Sequence, residues 1–480
     1  MRVVHVAAEY LGLAKTGGLA DVCQALPAAQ AEQGLEVTVC LPAYAGTLQR
    51  LTSVELLTEL EVRGEHFRVL AGCLPGGNHT LLLFDCPRLF QREGDPYRDG
   101  QGREFMDNGW RFGCFGAAVG QLLGQALLPT PDIVHLHDWQ TALVAGWLRH
   151  QRSPSRVLFT IHNLAYQGVF DGQLFSALGL PADWWSPRGV EQLGAWSFMK
   201  AGIHFSHGVS TVSPGYAREI CTEAHGCGLH QVLRDRRRPL HGILNGIDTR
   251  LWNPARDAWL PVHYDYETVR QGKAENRAVL QRELGLAADQ RPLLLFIGRL
   301  ADQKGADLLL AGKEVLAHMP MQIVVLGVGE PALEQAFADW AAQRPAQVRA
   351  FLRVDEALAH RLTAAADLQI MPSRFEPCGL NQMYAQVYGT LPVVRRTGGL
   401  GDTVVDANAA SLKAGKATGV QFLDADVGGV LHGIGRALEL LAGPHRSRLQ
   451  RAGMSQDFSW QASARRYHDL YRELLTVDHP

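Results

Sequence analysis

Short apolar, β-branched runs recur along this chain, each followed by a polar or glycine-bearing loop and then by a stretch of helical spacing. That recurrence restricts the fold more than any other feature. RVVHVAA (residues 2–8) is the first run, a helical pattern follows from Leu19 to about Gln33, and VTVCLP (37–42) restores a strand. DIVHLHD (132–138), VLFTIHN (157–163) and VSTVSP (209–214) repeat the alternation. Strands that are apolar on both faces belong to parallel sheets covered by helices on each side. The first half therefore reads as a doubly wound α/β sheet.

The segment from about His241 to Asp265 breaks this rhythm, because GILNGIDTRLWNPARD concentrates turn-forming Gly, Asn, Asp and Pro. PLLLFIGRLADQKG then opens a second β-loop-α-β unit that MQIVVLGVG closes, with DLQIMPS and TLPVVRR as later strands. A chain of 480 residues is too long for one core. The expected organisation is a Rossmann-like domain over 1–245, a second over 246–455, and a final segment 456–480. In that segment Ala462, Tyr467, Leu470, Tyr471 and Leu474 share one helical face. Ligands of such sheets bind beyond the carboxyl ends of the strands, so two such domains facing each other make an interdomain cleft.

Charge narrows the function. With 46 basic and 48 acidic residues the formal net charge is −2, which argues against a nucleic-acid partner held by many phosphate contacts. The one basic run, Arg234 and Arg236 to Arg238, reads as a solvated helix end. The opening MRVVHVAAEYL fits a strand better than a signal peptide, and no apolar stretch is long enough to span a bilayer. A cytoplasmic protein with no membrane partner is expected. Eight cysteines form no Cys-x-x-Cys pair, and Cys221, His225, Cys227 and His230 match no standard metal spacing. Neither a disulfide framework nor a ribbon-type zinc site is expected from them.

The chemistry-bearing residues sit where strands end. Lys15-Thr16-Gly17-Gly18-Leu19-Ala20-Asp21 follows the first strand and suits either an ordinary tight turn or a loop against which a phosphate can rest, with Lys15 as a mobile cation. His135-Leu136-His137-Asp138-Trp139-Gln140 and Thr160-Ile161-His162-Asn163 end two further strands, and His135 reads as a satisfied core residue. In the second half, Gly298-Arg299-Leu300-Ala301-Asp302-Gln303-Lys304-Gly305 presents two cations before a helix, suited to a departing diphosphate. Ser373-Arg374-Phe375-Glu376-Pro377-Cys378-Gly379-Leu380 places a carboxylate between a strand and a helix, either as a first-turn acid or as a group that faces developing positive charge.

KTGGLADV, the two strand-end His motifs, FMKAG (198–202), VSPGYARE (212–219), LNGID (244–248), SRFEPCGL and RRTGGLGDTV (395–404) together resemble the glycogen and starch synthases of bacteria and plants. The resemblance runs over nearly the whole chain. It implies the GT-B fold, with the last helix crossing back to the first domain. It also implies transfer of glucose from ADP-glucose to the end of an α-1,4-glucan with retention of configuration, and no cofactor. On that reading Lys15, Arg299 and Lys304 hold phosphates. His162 and Glu376, with the backbone of Cys378, Gly379 and Leu380, hold the donor glucose. Gly17, Gly18, Asp21, Tyr97, Asp138, Trp139, Asn163 and Asn245 shape the glucose and acceptor sites. A front-face displacement, in which the leaving phosphate helps to deprotonate the acceptor, accounts for the lack of an obvious nucleophile.

The sequence departs from the family pattern at four places. Gln140 stands where His is frequent, and Tyr384 stands where many retaining glycosyltransferases carry a second Glu, eight residues after Glu376. Asn381 replaces an expected Thr, and Val354 lies where a Tyr able to stack on the base is usual. The rival readings are a relative using UDP-glucose or another acceptor, and a catalytically silent glucan- or nucleotide-binding protein.

Overall fold

The computed structural model describes residues 1–125 and 127–476. The chain forms two compact units: Met1–Gly246 together with the segment starting at Trp460, and Ile247–Ser459. The first unit therefore ends one residue beyond the expected 245. Residues 456–459 stay with the second unit because the Ile247 N–H donates to the Phe458 carbonyl (2.8 Å).

The first unit is built on a nine-stranded sheet. Its strands are β1 (Arg2–Val6), β2 (Glu36–Pro42), β3 (Thr52–Val62), β4 (Glu65–Cys73), β5 (Thr80–Asp85), β6 (Ile133–His137) and β7 (Arg156–Ile161). After three short strands, β8 (Val169–Phe170), β9 (Glu191–Gln192) and β10 (Ala195–Ser197), which form a small separate sheet, come β11 (Gly208–Thr211) and β12 (His241–Gly242). The order β12-β11-β7-β6-β1-β2-β5-β4-β3 is parallel as far as β5. An antiparallel hairpin, β3 and β4, finishes the edge. The apolar-run reading misses this hairpin because β3 is mostly exposed and carries Glu55, Glu59 and Glu61. Its available signal is Arg63-Gly64, a tight turn with φ of 53° and 78°.

The closing helix, Trp460–Thr476, buries Trp460, Ala464, Tyr467, Leu470, Tyr471 and Leu474. They pack on Val3, Ile133 and Leu158 of the sheet and on Val22 and Leu26 of helix Gly18–Glu32. A Cβ at Gly246 would lie 2.6 Å from the Trp460 nitrogen, so this junction admits only glycine without a shift. Arg236, from the run read as a solvated helix end, instead donates to the Ile203 and Ser206 carbonyls at the end of helix Phe198–Phe205. Orphan carbonyls there attract a cation.

The second unit holds six parallel strands: β13 (Leu293–Ile297), β14 (Gln322–Leu326), β15 (Val348–Phe351), β16 (Leu368–Met371), β17 (Leu391–Arg395) and β18 (Val420–Phe422). Their order is β15-β14-β13-β16-β17-β18, the doubly wound dinucleotide-binding topology, with its switch point between β13 and β16. Leu294, Phe296, Ile323, Val325, Leu368, Ile370 and Val393 fill its core. Among the described residues no helix is long and apolar enough to cross a membrane.

Leu474 is fully buried and reaches toward Gly208 of β11. Leu474→Ala is expected to destabilise the first unit by about 2–5 kcal/mol, the range for emptying a leucine site in a packed core. Urea denaturation followed by first-unit tryptophan fluorescence checks this; an unmoved midpoint contradicts the packing role of the closing helix.

Candidate active site

In the first unit the loop after β1 is organised by Glu9, a residue that motif reading passes over. Its buried carboxylate accepts from the backbone N–H of Thr16 (2.7 Å) and Gly17 (3.1 Å) and from the Tyr97 hydroxyl (2.7 Å). Two backbone N–H groups of this loop, just before helix Gly18–Glu32, are thus taken by the chain's own anion. Desolvation raises the Glu9 carboxyl above its usual range and pushes the Tyr97 phenol well up. Gly17 and Gly18 need their missing side chains for neither packing nor backbone, since a Cβ at either meets nothing within 4 Å. They leave open surface beside Lys15. Lys15 pairs with Asp21 at 2.9 Å, and both are substantially exposed. Such a pair is worth about 0–1 kcal/mol, so Lys15 can change partners cheaply.

The loops after β6 and β7 meet at Asp138. Its backbone has φ 58° and ψ −179°, a region that glycine alone enters without strain and that marks functional positions. Its carboxylate accepts from the His162 N–H (2.7 Å) and the Asn163 N–H (3.5 Å), and burial pushes its pKa up to about 7. His162 is half-buried and bonds through Nε2 to His137 Nδ1 at 3.0 Å. Trp139, expected beside a sugar, is engaged edge-on by Phe112 and Phe198 and sits against Gly168. Asn245 is buried, and its Oδ1 has no hydrogen-bond partner among the described residues. His135 is fully buried with both ring nitrogens bonded, as a core histidine should be.

In the second unit the loops after β13 and β16 come together at the switch point. Gly305 has φ 68°, and a Cβ there would lie 2.2 Å from the Pro372 carbonyl oxygen; the absence of one lets the two loops touch. Lys304 Nζ consequently reaches Glu376 Oε2 at 2.5 Å, and the Ser373 hydroxyl donates to the same oxygen at 3.1 Å. Glu376 is 5% exposed. Arg299 stands exposed on the same loop as Lys304, donating to Gln303 at 3.1 Å. The loop behind Glu376 is fastened from several sides. Gln382 donates to the Cys378 (3.1 Å) and Gly379 (3.0 Å) carbonyls, and Arg395 to the Arg374 carbonyl (2.6 Å). Gly379 has φ 72°, and Gly399 donates to the Glu376 carbonyl at 3.1 Å. A Cβ at Gly398 or Gly399 would lie 2.0 or 2.1 Å from the Glu376 or Cys378 oxygen. This close approach is why RRTGGLGDTV must carry its glycine pair.

The four departures have local accounts. Tyr384 stacks on Trp252 at 3.7 Å, and Trp252 stacks on His360 at 3.6 Å, so this position contributes to packing. Asn381 donates to the Ile297 carbonyl at 2.9 Å and ties its loop to the end of β13. Val354 is 86% exposed, and Gln140 is buried with an unpaired Oε1 among the described residues.

Comparison with known proteins agrees with this arrangement. Residues 2–235 match the family described as starch synthase catalytic domain, and residues 280–422 match glycosyl transferases group 1. A glycogen synthase from Thioalkalivibrio sulfidiphilus is 46% identical over 99% of this chain and 100% of its own. One from Aromatoleum aromaticum is 45% identical over 98% and 96%. The catalytic domain of starch synthase IV from Arabidopsis thaliana, bound to ADP and acarbose, superposes with a TM-score of 0.88 at 35% identity, covering 99% of both chains. A sucrose-phosphate synthase from Thermosynechococcus elongatus shares the fold alone, with a TM-score of 0.61 at 17% identity. Two Rossmann-like domains with cations and a buried carboxylate at the strand ends define a GT-B glycosyltransferase. The chain belongs to the glycogen synthase family.

The buried titratable groups set an acid sensitivity. Desolvation lowers His5 to about 4 and His162 to about 3, and takes His135 and His137 well below 6.5. A histidine whose folded pKa is depressed loses stability as pH falls from 6.5 toward the folded value, because the unfolded chain takes up the proton first. Asp138 acts oppositely: with a pKa raised to about 7 it favours the fold below its unfolded value of 3.8 and loses that contribution as pH rises through 7. Glu9, also raised, acts in the same sense as Asp138, but four histidines outweigh two carboxyls, so the thermal midpoint is expected to fall between pH 6.5 and 4.5, and to fall more steeply in Asp138→Asn. A flat profile in the parent protein contradicts neutral burial of the histidines.

Proposed function

We propose that the protein transfers glucose from ADP-glucose to the non-reducing end of an α-1,4-glucan, with retention at the anomeric carbon, in the cytoplasm and without a metal. The observation that carries this reading is the Lys304–Glu376 pair, a cation and a buried carboxylate 2.5 Å apart at the switch point of a nucleotide-binding sheet. Cleaving a sugar nucleotide builds negative charge on the departing diphosphate and positive character on the sugar carbon. In this proposal Lys304 exchanges Glu376 for the diphosphate as the bond breaks, with Arg299 beside it, and the carboxylate it leaves faces the sugar. Both charges are stabilised more in the transition state than before it.

Within the first unit, His162, Asp138 and Asn163 are suited to a sugar and Lys15 to a phosphate. The strained backbone at Asp138 and the weak Lys15–Asp21 pair support those roles. Asn245 offers an unpaired amide oxygen to a hydroxyl. Tyr97 and Asp21 act through Glu9 and Lys15 respectively. The bacterial relatives named glycogen synthase and the Arabidopsis structure bound to ADP favour an adenine donor and a glucan acceptor.

ADP-glucose is expected to give a higher kcat/KM than UDP-glucose with a glycogen primer, read as nucleoside diphosphate released. Equal values for the two donors contradict the donor assignment, and no release from either means a silent binder.

Lys304→Ala and Arg299→Ala are each expected to raise the barrier by about 2–4 kcal/mol, and Glu376→Gln to lower kcat by about a hundredfold or more. Because Lys304 and Glu376 touch, the double variant should lose less than the sum of the two single losses. Changes confined to KM, or strict additivity, contradict this charge exchange.

A further inference from the structure

A continuous chain of hydrogen bonds, buried up to its last link, runs through the first unit and ends at the half-buried His162. It starts at Ser210 Oγ, which meets Thr160 Oγ1 at 2.7 Å; Thr160 Oγ1 meets His135 Nε2 at 2.6 Å, and His135 Nδ1 meets the Tyr471 hydroxyl at 2.7 Å. Gln30 joins Tyr471 (3.0 Å) to His5 Nε2 (2.7 Å), His5 Nδ1 meets His137 Nε2 at 2.9 Å, and His137 Nδ1 meets His162 Nε2 at 3.0 Å. His5, His135 and His137 bring nitrogens within 4.8 Å of one another, as a metal site would. All six of their ring nitrogens are spent in this chain, so it is a proton-ordering chain and not a ligand set.

A neutral imidazole donates from one nitrogen and accepts at the other, so the chain has only two self-consistent directions. The amide of Gln30 selects between them. The structure has Gln30 Oε1 toward His5 and Gln30 Nε2 toward Tyr471, and in that orientation each donor points from His162 toward Gln30, and on the far side from Gln30 toward Ser210. That direction leaves the hydroxyl proton of Ser210, fully buried, with no acceptor among the described residues. Turning the amide by half a turn keeps its shape and reverses every donor. Ser210 then donates to Thr160, Thr160 to His135, His135 to Tyr471, Tyr471 to Gln30, Gln30 to His5, His5 to His137 and His137 to His162. Every hydroxyl and imidazole proton as far as His162 Nε2 then has an acceptor, and the proton left over moves from the fully buried Ser210 to Nδ1 of the half-buried His162, where exposure lowers its cost.

We infer that Gln30 and Tyr471 are positioning residues that hold His162 in the tautomer protonated at Nδ1, so that this ring offers a hydrogen-bond donor to a sugar hydroxyl. Burial keeps all four histidines neutral at neutral pH, as such a chain needs. The role at the sugar rests on the proposed function; the tautomer does not.

The test is NMR of the full chain carrying 13C,15N-histidine, with the His162 signals identified by their loss in His162→Gln, since ring 15N and 13Cδ2 shifts report the protonated nitrogen. The parent protein is expected to show His162 protonated at Nδ1. Gln30→Glu presents two acceptor oxygens, so His5 must donate to it and the His162 proton is expected to move to Nε2, with donor kcat/KM falling about tenfold for one lost hydrogen bond. Should that variant fold poorly, Tyr471→Phe keeps the ring and removes the link to Ser210; His162 is then expected to show both tautomers. His162 protonated at Nε2 in the parent, or a spectrum unmoved by whichever variants fold, overturns the inference. A tautomer that moves while ADP-glucose kinetics stay constant upholds the chain and overturns the role of His162 at the sugar.

Discussion

Glu376 is a carboxylate 5% exposed whose charge is met by Lys304, and much of the second unit is arranged so that this pair can exist. A buried carboxylate without a partner is costly enough to protonate or to unfold its surroundings. Meeting it requires β13 and β16 to be neighbours, Gly305 to let their loops touch, and Gly398 and Gly399 to let a third loop close behind. Gln382 and Arg395 then hold the loop's carbonyls. The pair is thus the outcome of a topology, and the glycines are what the topology demands of the sequence.

The first unit solves a similar problem with neutral groups. Its parallel strands carry His5, His135 and His137 in a core that excludes water, where a charged imidazole would be destabilising. Gln30, Tyr471, Thr160 and His162, with the His5–His137 bond, satisfy each nitrogen, and Tyr471 ties the closing helix to the sheet. Glu9 fastens the Lys15 loop by accepting from its backbone donors, as Lys304 fastens the Glu376 loop by donating to its carboxylate. In both units the fastening sits at the carboxyl ends of the strands, where a doubly wound sheet binds its ligands.

Tyr384 shows how sequence and structure divide the account. Its identity departs from the pattern of many retaining glycosyltransferases, which is legible in one dimension. The stack with Trp252 and His360 that employs it is not, because those residues lie 132 and 24 positions away. The β3–β4 hairpin escapes the apolar-run reading for another reason: its exposed edge strand has little apolar signal, and only the Arg63-Gly64 turn marks it.

The sequence by itself determined the parallel-strand runs, the break near Gly246, the amphipathic last helix and the loops that carry Lys15, His162, Arg299, Lys304 and Glu376. These follow from local periodicity and from residue types at strand ends. Only the tertiary structure decided that Lys304 touches Glu376, that Glu9 occupies the Thr16–Gly17 donors, and that Tyr471 joins a chain leading to His162. The first and last of these join residues distant in sequence, and the second depends on how the loop folds back over the seven or eight positions separating Glu9 from its donors. A hydrogen bond is made or missed within a few tenths of an ångström, which only the packed arrangement of strands and helices fixes.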